Sequence, residues 1–270
     1  MSVPKITVLT YCSGYRYEVF QRFTGTLYDT GFTGNVMFVS KQSDKENLDR
    51  LKAVYPNISY VFDDSDYENH CQQKRFVLYR NLLAKTNLDA EYIFLCDSRD
   101  LFFQRNIETF PFPRDIDLFV FDEGLKIHQC GHNVKWLKEL EVAYGEEIVS
   151  KIQDNPISCS GTTFGKIEAI KIYIDRMCKA IQHEKLPINY AYDQGHHNYL
   201  LYCGKLTDLS IRHYSNNDNF VNTLQYGFKW MNGFNQITNE KKEVSYVVHQ
   251  WDRLPKYMTD RLCTKYDFSF

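Results

Sequence analysis

Tyr92-Ile-Phe-Leu-Cys-Asp97-Ser-Arg-Asp100-Leu-Phe-Phe103 decides how this chain is read. Two carboxylates and a guanidinium fall within four residues, between runs of large apolar side chains. Tyr92 to Cys96 has the composition of a buried strand, so the acidic group stands at its end. Bare charge there is costly unless it is paired or bound to a metal. Carboxylates at the lip of such a strand suit a divalent cation and the phosphates it neutralises. The plainer alternatives are an Asp helix cap and an Asp–Arg surface pair.

Strand and helix signals alternate upstream of this segment. Lys5 to Thr10 is β-branched and stops at Tyr11-Cys-Ser-Gly14. Tyr17 to Leu27 carries helix-period apolar residues, Asn35 to Ser40 reads as a strand, and Asp44 to Tyr55 as a helix closed by Pro56-Asn57. Ile58 to Phe62 is a third strand ending at Asp63-Asp64, and Cys71 to Lys85 an amphipathic helix. This alternation predicts a mostly parallel sheet flanked by helices, with ligands beyond the carboxyl ends of the strands. Thr10 to Ser13, Asp63-Asp64 and Asp97 to Asp100 should then meet in one crevice. Downstream, Asp117 to Asp122 reads as a strand, Ile127 to Gly145 is ambiguous, and Ile157 to Gly165 reads as a strand ending in a small-residue loop. Helices are expected over Lys166 to His183 and from Asp193 to Tyr202. A polar, Asn-rich loop follows from Ser215, and a late strand over Val244 to His249.

The bulk properties narrow the function classes. The 270 residues suit one large α/β domain, and a formal net charge of −2 without a basic block argues against a nucleic-acid partner. Most of the 20 Tyr and 19 Phe, against 3 Trp, must be core, and the Tyr-rich surplus also suits a cleft that stacks flat polar ligands. The 8 Cys are scattered without metal-finger spacing, as reduced thiols of a cytosolic protein would be. No run approaches a transmembrane length, and the N-terminus has no signal-peptide pattern, so a cytoplasmic location is expected. His128-Gln-Cys-Gly-His132 lacks the Glu of a zinc-protease helix and reads as a loop. Cys12-Ser-Gly14 is too poor in glycine for a phosphate loop, and no Gly-x-Ser-x-Gly elbow is present.

The segment Asp97-Ser-Arg-Asp100-Leu-Phe-Phe-Gln104 resembles the D-x-D region of GT-A-fold, metal-dependent glycosyltransferases, with two intervening residues in place of one. Asn155-Pro-Ile-Ser-Cys-Ser-Gly-Thr-Thr-Phe-Gly165 is similar to the small-residue strand and turn beside the donor sugar in that family. Val248-His249-Gln-Trp-Asp-Arg253 resembles its C-terminal histidine motif. The three motifs in this order span most of the chain. The resemblance implies one GT-A-like domain over 1–270, with a Rossmann-like nucleotide-sugar half over about 1–125 and an acceptor half over about 126–270.

It also implies a site. Asp97, Asp100 and His249 would hold Mn²⁺ or Mg²⁺, Asp100 as direct ligand, the imidazole favouring Mn²⁺. Thr10, Tyr11 and Cys12 would lie beside the base and ribose, with Tyr11 or Tyr15 stacking on a pyrimidine and Asp63 or Asp64 accepting from a base N–H. Arg75, Arg80 and Arg99 would reach the diphosphate, with Ser98, Ser160 and Gly161 nearby. Asp193 is the candidate base for an acceptor hydroxyl in an inverting transfer, its alternative reading being a helix N-cap. Trp230, Trp251 and the Asn-rich loop would shape the acceptor side. The expected reaction moves a sugar from a nucleotide-diphosphate donor, UDP-linked by preference, to a hydroxyl of a glycan or another acceptor. A metal-dependent phosphohydrolase and a catalytically silent carbohydrate- or nucleotide-binding protein are the competing readings.

Overall fold

In the computed structural model, residues 4–65, 70–187, 189–227, 229–262 and 265–268 are described. The first half alternates as its periodicity predicts. Strand β1 (Ile6–Tyr11) leads to helix α1 (Tyr17–Asp29), β2 (Asn35–Ser40), α2 (Lys45–Val54), β3 (Ile58–Phe62), α3 (Cys71–Lys85) and β4 (Tyr92–Cys96). Then come β5 (Leu101–Phe103), β6 (Leu118–Lys126), α4 (Gly131–Tyr144), α5 (Ile148–Ile152), β7 (Pro156–Lys166), α6 (Ile167–Ile181) and α7 (Tyr192–Tyr202). The chain closes with β8 (Ile211–Tyr214), β9 (Val221–Thr223), β10 (Trp230–Met231), β11 (Ile237–Thr238), β12 (Val247–His249) and α8 (Lys256–Leu262).

Seven strands form the central sheet in the order β3-β2-β1-β4-β7-β6-β8. β1 to β4 pair in parallel, as do β6 and β8, whereas β7 runs antiparallel to both β4 and β6. The apolar runs of β1, β2 and β4 are buried from both sides, as expected for a sheet covered on its two faces. On one face α3, α4, α6 and α7 pack through residues such as Phe76, Leu137, Tyr173 and Tyr199. On the other lie α1 and α2, with Phe20, Phe23, Leu48 and Leu51, and an aromatic group around Phe112, Phe164 and Phe220.

Four downstream readings change. Small residues 158–163 lie inside β7, which runs unbroken to Lys166; their slight bulk lets other elements cross it closely. Ile127 to Gly145 is a short turn and then a helix opening at Gly131, since a helix's first turn tolerates glycine better than its interior does. The Asn-rich segment is a 3₁₀ turn that delivers β9 and the β10–β11 hairpin. Only Val247–His249 of the late strand joins a ladder, pairing with β5 and β9 in a second, three-stranded sheet.

Candidate active site

Two pairings assemble the site. Across β4–β7, the Asp97 N–H donates to the Gly161 carbonyl at 2.9 Å, which lays the acidic turn against the small-residue strand. Across β5–β12, His249 stands opposite Leu101, so its imidazole arrives beside Asp100. Gln104 fixes this second sheet from behind: its amide donates to the Ile237 and Ser245 carbonyls and accepts from the Ile237 N–H.

One ligand atom from each of Asp97, Asp100 and His249 falls within 4.8 Å of the others. His249 Nε2 is 3.2 Å from Asp97 Oδ2 and 3.8 Å from Asp100 Oδ1. Its Nδ1 faces Cys159 Sγ at 3.6 Å, so a proton on Nδ1 leaves the Nε2 lone pair towards the carboxylates. Burial would lower the imidazole, but Asp97 and Asp100 raise it above its ordinary value. Burial would raise Asp97, yet Arg75 and His249 override it and hold that carboxyl well below the usual range. Asp100 moves up instead, through burial and the nearby charges of Asp97 and Asp252, against His249 and Arg99.

Two carboxylates and a neutral imidazole form a donor set that fits Mn²⁺ or Mg²⁺. Gly161 keeps the space open: a Cβ there would come within 2.5 Å of Asp97 Oδ2 and 3.0 Å of His249 Nε2. The backbone bends sharply around the site. Gln250, after His249, has φ 58°, and Ala191 and Tyr192, before Asp193, have φ 60° and 49°. Non-glycine residues rarely adopt this region, and such strain gathers at functional sites.

Arg75 is the central cation. Its Nη1 pairs with Asp97, while Nη2 donates to Asp193 Oδ2 at 2.7 Å and to the Ser160 carbonyl at 3.1 Å. The Ser160 hydroxyl also donates to Asp193 Oδ2, at 2.9 Å. Asp193 therefore sits in the first turn of α7 with one oxygen committed to Arg75 and Ser160. Burial raises its pKa and Arg75 opposes that rise. Gln194 clamps β7, accepting from the Ser160 N–H at 2.8 Å and donating to the Ser158 carbonyl at 2.7 Å.

Two cavities meet at Arg75, Asp97 and Gln72. One, of about 440 Å³, is lined by Tyr11, Tyr15, Lys41, Ser98, Arg99 and Asp100 among others. The other, of about 310 Å³, is lined by Glu123, Trp136, Ser160, Gly161, Asp193 and Tyr226 among others. A larger groove of about 680 Å³ between α4 and residues 185–190 lies apart from the acidic turn.

The remaining sequence-derived residues divide. Tyr11, Tyr15, Ser98 and Arg99 line the first cavity, and Ser160 and Gly161 the second. Ser98 is also tied back, its hydroxyl donating to the Tyr11 carbonyl at 3.2 Å. Thr10 and Cys12 are fully buried in and after β1, and burial pushes the Cys12 thiol up to about 12. Asp63 and Asp64 accept from the N–H groups of Ser65 and Gln42, shaping their own loop outside both cavities. Asp44 instead shapes the first cavity's wall, accepting from Ser13, Gly14 and Ser40. Arg80 lies on the α6 side of α3, near Gln182, away from the crevice. Trp251 is buried beneath Arg22 and Phe268, and the exposed Trp230 lines neither cavity. Residues not anticipated include Glu123, Gln72 and Trp136, whose indole stacks on Tyr192 at 5.2 Å and 13°. Trp136 falls in the segment whose periodicity is ambiguous.

No protein-family profile matches the sequence, and no curated protein matches it. Solved structures do. The bifunctional glycosyltransferase WbbM, in its apo form, aligns with a TM-score of 0.56 at 10% identity over 97% of this chain and 50% of that one. An active-site mutant of LgtC gives 0.57 at 9% identity, covering 90% and 86% of the two chains. The galactosyltransferase LgtC with donor and acceptor sugar analogues gives 0.55 at 9%, with the same coverage. This chain thus spans half the length of the WbbM chain. Identities this low carry the likeness through architecture alone: the chain has the GT-A fold of these glycosyltransferases.

Proposed function

We propose that this protein is a glycosyltransferase that moves a sugar from a nucleoside-diphosphate donor to a hydroxyl acceptor, with a divalent cation at Asp97, Asp100 and His249. The observation that carries the reading is the place of that cluster, at the junction of two cavities. The first cavity takes the nucleotide: Tyr11 and Tyr15 offer ring faces to a base, and Lys41 and Arg99 offer charge to phosphates. The second takes the transferred sugar and the acceptor, with the Trp136–Tyr192 stack at its wall. When bound, the cation supplies Lewis-acid stabilisation of the leaving diphosphate, and Mn²⁺ suits the imidazole better than Mg²⁺. Arg75 adds a fixed positive charge at the same point. Asp193 and Ser160 hold Arg75 in position and present their remaining polar atoms to the sugar.

UDP is the preferred nucleotide by resemblance, and a glycan or glycoconjugate the preferred acceptor. Among the described residues no helix is long and apolar enough to cross a membrane; work on the cytoplasmic side is part of the proposal.

Thermal shift with UDP, GDP, CDP and ADP, each with and without Mn²⁺, tests the reading. Stabilisation by at least one nucleoside diphosphate that requires the metal is expected, and its absence across the panel removes the proposal. Hydrolysis of the matching donor then separates an enzyme from a silent binder. Asp100→Ala should cost at least about 100-fold in turnover with the fold kept, since it also relieves repulsion between neighbouring carboxylates. Turnover near wild type in that variant would take the acidic turn out of the mechanism.

A further inference from the structure

Glu123 is a carboxylate of this crevice that makes no ion pair among the described residues, although the charge of His249 acts on it. It is buried, with 5% of its surface exposed, and lines the second cavity together with Trp136, Tyr226 and Asp193. Among the described residues no lysine or arginine pairs with it; its hydrogen-bond partner is Cys159, and burial raises its pKa. Its orientation comes from an irregularity in β6. Pairing with β7 shifts register between Asp122 and Lys126, and Gly124 takes φ +88°, so the strand turns Glu123 into the cavity. Bulges of this kind re-aim side chains next to active sites.

Asp193 is differently placed. Arg75 and Ser160 occupy its Oδ2, so that oxygen is spent on holding the arginine in place. Arg75 and the Asp97–Asp100–His249 cluster also mark where the diphosphate must lie. Glu123 lines only the cavity beyond them, on the side from which an acceptor approaches.

We propose that Glu123, rather than Asp193, is the catalytic base that takes the acceptor hydroxyl's proton. This rests on the glycosyl-transfer reading above. The acceptor O–H bond breaks and its proton passes to the Glu123 carboxylate, while the oxygen lone pair forms the new bond to the anomeric carbon. The bond from that carbon to the β-phosphate oxygen breaks, and its electron pair leaves on the nucleoside diphosphate. Attack from the far side inverts the anomeric centre.

Water serves as acceptor in the test, with UDP-glucose, UDP-galactose and UDP-N-acetylglucosamine as donors and Mn²⁺ present. Glu123→Gln should lower kcat for hydrolysis by at least about 100-fold, with the Kd for UDP in the presence of Mn²⁺ within threefold of wild type. Formate should restore part of the activity of Glu123→Ala. A kcat within fivefold of wild type in Glu123→Gln overturns the assignment. So does a rise in Kd that matches the loss of kcat, because Glu123 would then act through Cys159 on His249. A wild-type protein that hydrolyses none of the donors removes the glycosyl-transfer reading itself, and the assignment with it.

Discussion

Position 161 has room for a hydrogen atom and nothing larger. A methyl group there would press on Asp97 Oδ2 at 2.5 Å and on His249 Cε1 at 2.7 Å, the two side chains whose spacing defines the cluster. Neither can retreat freely: Asp97 is held by Arg75, and His249 is fully buried with Cys159 behind it. Gly161→Ala should therefore weaken Mn²⁺ binding by about 10- to 100-fold, the range seen when a metal site's supports are disturbed. Overall stability should fall less, by roughly 1–3 kcal/mol for local overpacking. Titration calorimetry with Mn²⁺ alone measures the first and denaturant unfolding the second. Unchanged Mn²⁺ affinity would show that the three side chains do not act as one site. Asp97 and Asp100 were legible in the sequence because carboxylates at the end of an apolar strand are costly to bury without something to bind, and His249 through the resemblance of Val248-His249-Gln-Trp-Asp-Arg253 to a family motif. Glu123 was not, because Gly124 marks where the strand can bulge but not which neighbouring side chain the register shift turns inward. Arg80 and Trp251 misled because neither an arginine nor an aromatic ring declares which face of its element will be buried.

Among the elements, α1 does more than cover the sheet. Its Arg22 is buried, lies 4.6 Å from the Trp251 ring and 5.4 Å from the Phe268 ring, and donates to the carbonyls of Arg99 and Asp267. One guanidinium thereby joins the acidic turn, the turn after His249 and the C-terminal residues. Burial pulls it down to about 10, which leaves it charged at neutral pH. Arg22→Met would keep much of the volume and orphan both carbonyls, costing roughly 2–5 kcal/mol. Mn²⁺ affinity should drop about 10-fold, because both segments that carry ligands lose a shared anchor. Loss of stability with metal affinity intact would limit Arg22 to holding the C-terminal residues. The elements themselves were easier to read than this linkage. β1 to β4 and α1 to α3 follow from local periodicity. β9 and the β10–β11 hairpin are short and polar, and long-range partners such as Gln104 fix them, so no local signal announces them.

At the scale of the molecule, the second half reaches the sheet through α7, which brings two adjacent buried histidines beneath the crevice. His197 is the better satisfied: Nε2 lies 2.9 Å from the Ser158 hydroxyl and Nδ1 2.6 Å from the Tyr173 hydroxyl. Burial, aided by His213 and Arg75, pushes its pKa down to about 3 from an ordinary 6.5. In acid the unfolded chain therefore takes up this proton first. Stability is fully present above pH 6.5 and falls as the pH drops from there towards 3. For this one group the loss at pH 5 is roughly 2 kcal/mol. His249, raised by Asp97 and Asp100, contributes with the opposite sign, its stabilisation complete below pH 6.5 and lost as pH rises through its folded value. His197→Gln keeps a group that can hydrogen-bond Tyr173 but does not titrate, and it leaves His249 in place. Urea unfolding of wild type and variant at about pH 7, 6 and 5 thus isolates the His197 contribution as a difference in slope, whatever the variant's stability at neutral pH. The wild type should lose about 2 kcal/mol more than the variant between pH 7 and 5. Equal slopes would mean that His197 takes up its proton in the folded protein as readily as in the unfolded chain, and that the polar layer between α7 and β7 admits a charge where the structure places a neutral ring.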